Sequence, residues 1–185
     1  MLKQIPNALT IIRLLLIAPF LLCLFHQQFT YAFYICLIAA VSDVLDGRLA
    51  RWFAWQTDLG KVIDPMADKL LIATSFISLA ILHLLPWWLV ILIFARDCII
   101  SLGFIAWCIF IPKKPDLKPT NISKMNTVLQ MSLVMLCLAE QAFAFQVPHL
   151  LLILVGLTAT TTVITLLDYV WTWGKKAWQQ RISLK

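Results

Sequence analysis

With 185 residues, 62% of them hydrophobic and 13% charged, the chain has about half the charged share of an ordinary soluble domain and reads as an integral membrane protein. Its formal net charge of +6 does not mark a nucleic-acid-binding protein, because most of the cations gather at the termini and around alternate connections between apolar runs. Five cysteines, Cys23, Cys36, Cys98, Cys108 and Cys137, all fall within apolar runs without metal-ligand spacing, so they read as small core hydrophobes and indicate neither a disulfide framework nor a zinc site.

A membrane-spanning helix needs roughly 20 mostly apolar residues. Six such runs follow one another at about 8–26, 30–53, 62–83, 86–111, 124–145 and 148–172. They use nearly the whole chain, so residues 1–185 are expected to form a single all-α membrane domain with six transmembrane helices. The opening "KQIPNALTIIR" reads as a short interfacial segment, with Pro6 suited to a helix start. The first run is expected to be retained, because "LFHQQF" after it lacks the small residues of a signal-peptide cleavage site. The one substantial loop is "PKKPDLKPTNIS", whose three prolines oppose helix, with Asn121 or Ser123 placed to cap the helix that follows. The tail "GKKAWQQRISLK" mixes cations with Trp178 and Ile182 and is expected along the membrane surface.

The connections "HQQFT", "HLLP" and "EQAFAFQVPH" carry no Lys or Arg, whereas Arg48, Arg51 and Lys61, then Lys113, Lys114, Lys118 and Lys124, lie around the others. The positive-inside rule then puts both termini in the cytoplasm, in the expected setting of a bacterial inner membrane. His26, His83 and His149 fall at the outward ends, and Glu140 is expected as a solvated residue of an outward connection.

Against this apolar background, five of the nine acidic residues crowd into "SDVLDGRLARWFAWQTDLGKVIDPMADK": Asp43, Asp46, Asp58, Asp64 and Asp68. Asp43 and Asp46 are three apart and Asp64 and Asp68 four apart, so each pair takes one face of its own helix. Two antiparallel helices with a short turn can bring those faces together at the cytoplasmic end. Four carboxylates there would repel one another unless cations neutralised them. Hard oxygen donors select Mg²⁺, Mn²⁺ or Ca²⁺, and Mg²⁺ commonly completes its shell with substrate phosphates. Arg48 and Arg51 offer guanidinium groups to such a phosphate, while Gly47, Ala50 and Gly60 remove side-chain bulk beside it. Asp58 falls outside both faces and reads as a turn residue. An ion transporter would carry polar groups on toward the far face, and here the carboxylates stop at one. A prenyl-diphosphate transferase would place Asp-rich motifs on well-separated helices, and the chain offers one such segment.

The segment resembles the signature of the CDP-alcohol phosphotransferase (phosphatidyltransferase) family at every defining position: Asp43, Asp46-Gly47, Ala50-Arg51, Gly60, Asp64 and Asp68. The resemblance implies a homodimeric membrane enzyme that transfers a phosphatidyl group from CDP-diacylglycerol to an alcohol and releases CMP. It further implies that Asp43, Asp46, Asp64 and Asp68 hold two divalent ions, Mg²⁺ or Mn²⁺, with Asp68 also serving as general base. Gly47, Ala50, Arg51 and Gly60 are implied for the CDP-lipid, Arg51 toward its diphosphate.

Two features outside the signature bear on the acceptor. Arg96 and Asp97 interrupt the fourth run, where Arg96 could hold an acceptor phosphate and Asp97 could compensate it. "LKPTNISKMNTVLQM" resembles the same segment of the cardiolipin synthases of the eukaryotic type, which favours phosphatidylglycerol as acceptor, with the glycerol 3-phosphate of phosphatidylglycerophosphate synthases as the alternative. Arg96 and Lys124 are the expected acceptor-binding residues. Asp168 receives no role.

Overall fold

The computed structural model describes the backbone of residues 5–53, 60–110 and 121–183, and the side chains of residues 11–42, 69–103 and 122–172. Within these bounds the chain is all-helical: α1 (Ile5–Phe25), α2 (Phe29–Phe53), α3 (Gly60–Ile81), α4 (Trp87–Phe110), α5 (Asn121–Ala142) and α6 (Pro148–Ser183). Helix is what such runs must form, because hydrocarbon offers no partner to backbone N–H and C=O groups and a helix satisfies them internally. α1 begins at Ile5, which puts Pro6 in its first turn as expected for a helix start, and residues 1–4 lie outside those described. At the other end, α6 carries the basic tail in helix as far as Ser183.

The chain divides into two compact units. One comprises residues 1–85 and 134–148, so it holds α1, α2, α3 and the end of α5. Within it α1 packs against both α2 and α3. Its buried side chains include Phe20, Leu24, Cys36, Phe76, Leu79, Leu133's neighbour Val134, and Leu138. The end of α5 is tied to α2 by Thr30 Oγ1, which donates to Ala142 O at 3.3 Å, and by an edge-to-face contact of Phe33 with Phe143 at 5.3 Å.

Two described connections of this unit, after α1 and after α3, close without glycine. Gln27 and His83 adopt the left-handed conformation, with φ of 57° and 58°. Each follows the same pattern: Gln27 N donates to Leu24 O and Gln28 N to Cys23 O, while His83 N donates to Ala80 O and Leu84 N to Leu79 O. These bonds satisfy carbonyls left over at the ends of α1 and α3. Glu140 corrects the reading of a solvated residue: it lies within α5, and its Oε1 accepts the Val147 N–H at 2.9 Å, just before α6 begins at Pro148.

The other unit comprises residues 86–133 and 149–185, hence α4, the first half of α5 and α6. Its buried set is unusual, for beside Leu89, Val90 and Ile93 it contains Arg96, Asn126, Gln130, Thr158, Thr162 and Thr165. The same α6 exposes Leu152, Ile153, Leu157, Ile164 and Leu167. Polar groups turned inward and aliphatic groups turned outward reverse the pattern of a water-soluble helix. By length and composition two helical segments can cross a membrane, Ile122–Ala142 and Pro148–Thr172, among the described residues.

Candidate active site

The aspartate segment occupies the last turns of α2 and the first of α3, two consecutive helices of one unit. Asp43 and Asp46, with Gly47, Ala50 and Arg51, lie in α2; Gly60 opens α3, which carries Asp64 and Asp68. The helical backbone through both pairs gives the three- and four-residue spacings their meaning, since such positions fall on one face. The side chains of all eight residues lie outside those described, as does Asp58 altogether. Among the described residues no three His, Cys, Asp or Glu side chains cluster to hold a metal. The donor set on α2 and α3 is itself suited to one: carboxylates alone, without sulfur or imidazole, are the ligands of hard divalent ions.

Among the described residues of the second unit Arg96 is the buried cation, 9% exposed on α4. Its Nη1 pairs with Asp97 Oδ1, and its Nη2 donates to Ser123 Oγ at 2.8 Å. The sequence placed Arg96 and Asp97 together; it gave no sign of Ser123, which reads as a helix cap and instead lies inside α5 as an acceptor for α4. Lys124, the next residue, is exposed.

One turn further along α5, Asn126 is 1% exposed and faces α6. Thr161 Oγ1 and Thr162 Oγ1 lie 2.9 and 3.0 Å from its Oδ1, and 2.8 and 2.7 Å from the carbonyls of Leu157 and Thr158. Each hydroxyl has one proton, so the threonines divide theirs between Asn126 and their own helix. Gln130 follows Asn126 by four residues on α5 and Thr158 precedes Thr162 by four on α6, and both are buried. Gln130 Nε2, Thr158 Oγ1 and the second end of the Asn126 amide are buried without a partner among the described residues. Asn126 and Gln130 four apart on α5, and Thr158, Thr162 and Thr165 at helical spacing on α6, form a polar seam that the same periodicity in the sequence could have revealed.

Fold and sequence together define the class of protein: a chain whose described residues are helical and expose many apolar side chains, with four aspartates at helical spacing on two consecutive helices. Residues 3–175 match the CDP-alcohol phosphatidyltransferase family, and the chain belongs to it. It is 35% identical over 182 residues to a probable cardiolipin synthase (CMP-forming) of Drosophila melanogaster, covering 90% of this chain and 56% of that protein. With the human cardiolipin synthase (CMP-forming) the identity is 33% over 190 residues, covering 95% of this chain and 63% of that one. With a CDP-diacylglycerol–glycerol-3-phosphate 3-phosphatidyltransferase of Yersinia pestis (strain Pestoides F) it is 34% over 135 residues, 69% of this chain and 72% of that one. The chain thus spans 56% to 63% of the length of the two cardiolipin synthases.

Proposed function

We propose that the chain is a phospholipid-synthesising transferase that moves a phosphatidyl group from CDP-diacylglycerol to a hydroxyl of phosphatidylglycerol, releasing CMP. The observation that carries this reading is the placement of Asp43, Asp46, Asp64 and Asp68 at helical spacing on two consecutive helices of one unit, in a chain of the CDP-alcohol phosphatidyltransferase family. Divalent metal use belongs to that family, and the carboxylate set suits Mg²⁺ or Mn²⁺.

In this reading Asp43, Asp46, Asp64 and Asp68 hold two divalent ions, which would neutralise the diphosphate of the donor and the charge that develops on the attacking and leaving oxygens. Asp68 takes the proton of the acceptor hydroxyl as that oxygen forms its bond to the lipid-side phosphorus. The bond from this phosphorus to the CMP oxygen breaks, and CMP leaves with the electron pair. Gly47, Ala50 and Gly60 leave room for the nucleotide, and Arg51 pairs with its phosphates. Arg96 and Lys124 hold the phosphate of the acceptor.

Phosphatidylglycerol is favoured over glycerol 3-phosphate because similarity to the two cardiolipin synthases extends over 90% and 95% of the chain, against 69% for the Yersinia glycerol-3-phosphate transferase. The reading includes a single membrane domain over residues 1–185, six spans in a bacterial inner membrane, cytoplasmic termini and active site, and a homodimer. The test offers CDP-diacylglycerol and Mg²⁺ or Mn²⁺ to the purified chain in phosphatidylcholine vesicles, with phosphatidylglycerol or glycerol 3-phosphate in separate reactions. CMP and cardiolipin are expected with phosphatidylglycerol. A phosphatidylglycerophosphate product instead would reassign the acceptor, and no CMP with any alcohol would end the transferase reading.

A further inference from the structure

Arg96 has five N–H donors in one plane, and a phosphate takes two parallel ones. Two are engaged within the unit, one to Asp97 and one to Ser123. Asp97 directly follows Arg96, and consecutive helical residues do not face each other, so the pair forms only because both side chains bend to one side. Ser123 then fixes the plane of the guanidinium from α5, 27 residues away in sequence.

Ser123 is itself held in place. Asn126, three residues later on the same helix, is bonded to Thr161 and Thr162 of α6, which fixes the rotation of α5 about its axis. Between apolar helices packing alone discriminates rotation poorly, and interhelical polar contacts supply what it lacks. The arrangement therefore runs from the α6 threonines through Asn126 and Ser123 to one guanidinium. Asp97 compensates the buried charge, and among the described residues Arg96 has only these two hydrogen-bond partners, with its Nε buried without one.

We infer that Asp97 and Ser123 are positioning residues for Arg96, aligning its remaining donors toward the phosphate of a glycerol-phosphate acceptor. The inference rests on the proposed reading that Arg96 takes that phosphate. The shared chemistry is a phosphate ester of glycerol, whether carried by a phosphatidylglycerol headgroup or by free glycerol 3-phosphate. Neither residue touches the reacting atoms.

The experiment compares the full chain with Ser123→Ala, Ser123→Thr and Asp97→Ala in phosphatidylcholine vesicles. KM is measured for phosphatidylglycerol, for glycerol 3-phosphate and for CDP-diacylglycerol. Glycerol 3-phosphate and short-chain phosphatidylglycerol are also tested for protection against thermal unfolding, a readout that needs no turnover. Loss of one charge-assisted hydrogen bond predicts that Ser123→Ala raises the acceptor KM about tenfold and abolishes protection, while KM for CDP-diacylglycerol stays within about twofold. Ser123→Thr keeps the hydroxyl and is expected to restore both readouts. The acceptor arm in which the shift occurs identifies the source of the phosphate.

An unchanged acceptor KM in an active Ser123→Ala protein overturns the inference, as does an equal rise for donor and acceptor, which is the signature of general loosening. The same result in Asp97→Ala removes Asp97 from the role. Protection that depends on Ser123 in a chain releasing no CMP would support the inference while sinking the transferase reading.

Discussion

The amide of Asn126 on α5 lies 3.0 Å from the hydroxyl of Thr162 on α6, and the neighbouring Thr161 hydroxyl lies at 2.9 Å. One side chain is thus shared by two consecutive threonines, a contact that fixes both rotation and register between the helices. Asn126→Leu is expected to lower the thermal midpoint. In a double-mutant cycle with Thr162→Val the coupling should fall between about 0.6 and 1.7 kcal/mol, the range of interhelical hydrogen bonds in membranes. Zero coupling would mean that Thr162 spends its proton on Thr158 O alone.

Glu140 makes the corresponding junction at the opposite ends of these helices. Its carboxylate accepts the Val147 N–H immediately before Pro148, where the partial positive charge of the α6 N-terminus also favours an anion. Glu140→Gln keeps an acceptor oxygen and loses the charge, so about 0.3–1 kcal/mol should go. Glu140→Ala strands a half-buried N–H and should cost about 1–3 kcal/mol. Amide exchange at Val147 distinguishes the two, with marked acceleration expected in the alanine variant.

Gln27 and His83 pay a conformational penalty at their connections. A side chain in the left-handed region costs roughly 1–2 kcal/mol, which glycine avoids at the expense of greater freedom in the unfolded chain. Gln27→Gly and His83→Gly are each expected to stabilise by up to about 1 kcal/mol. A raised thermal midpoint with unchanged helicity is the measurement; a lowered one would show that the Gln27 or His83 side chain carries packing worth more than the strain.

The helices were legible in the sequence because lipid leaves an apolar run few alternatives: the runs expected at about 30–53 and 62–83 meet α2 at 29–53 and α3 at 60–81. Arg96 and Asp97 were legible as a pair because covalent adjacency brings them together. Ser123 was not, since its partner is 27 residues away and a serine near a helix start reads first as a cap. The tight connections were hidden as well, for left-handed residues are sought at glycine and here are Gln27, His83 and Ala144. Glu140 looked solvated because composition cannot show that the helix continues past it to offer its carboxylate to α6.

Asp68 offers the sharpest test of the proposed chemistry. If it both ligates metal and takes the proton of the acceptor, Asp68→Asn keeps an oxygen for the metal but removes a base. Turnover should then fall by about 10²–10⁴-fold, the usual contribution of a positioned general base. Binding of CDP-diacylglycerol, followed as metal-dependent protection against thermal unfolding, should survive. Lys124→Ala provides the contrast, because an exposed cation that attracts the acceptor should chiefly raise the acceptor KM and leave the donor KM alone. Near-normal turnover in Asp68→Asn would remove Asp68 as base. An Asp68→Asn protein that no longer binds the donor would make its principal role that of metal ligand, and the proton would then need another acceptor among the remaining aspartates.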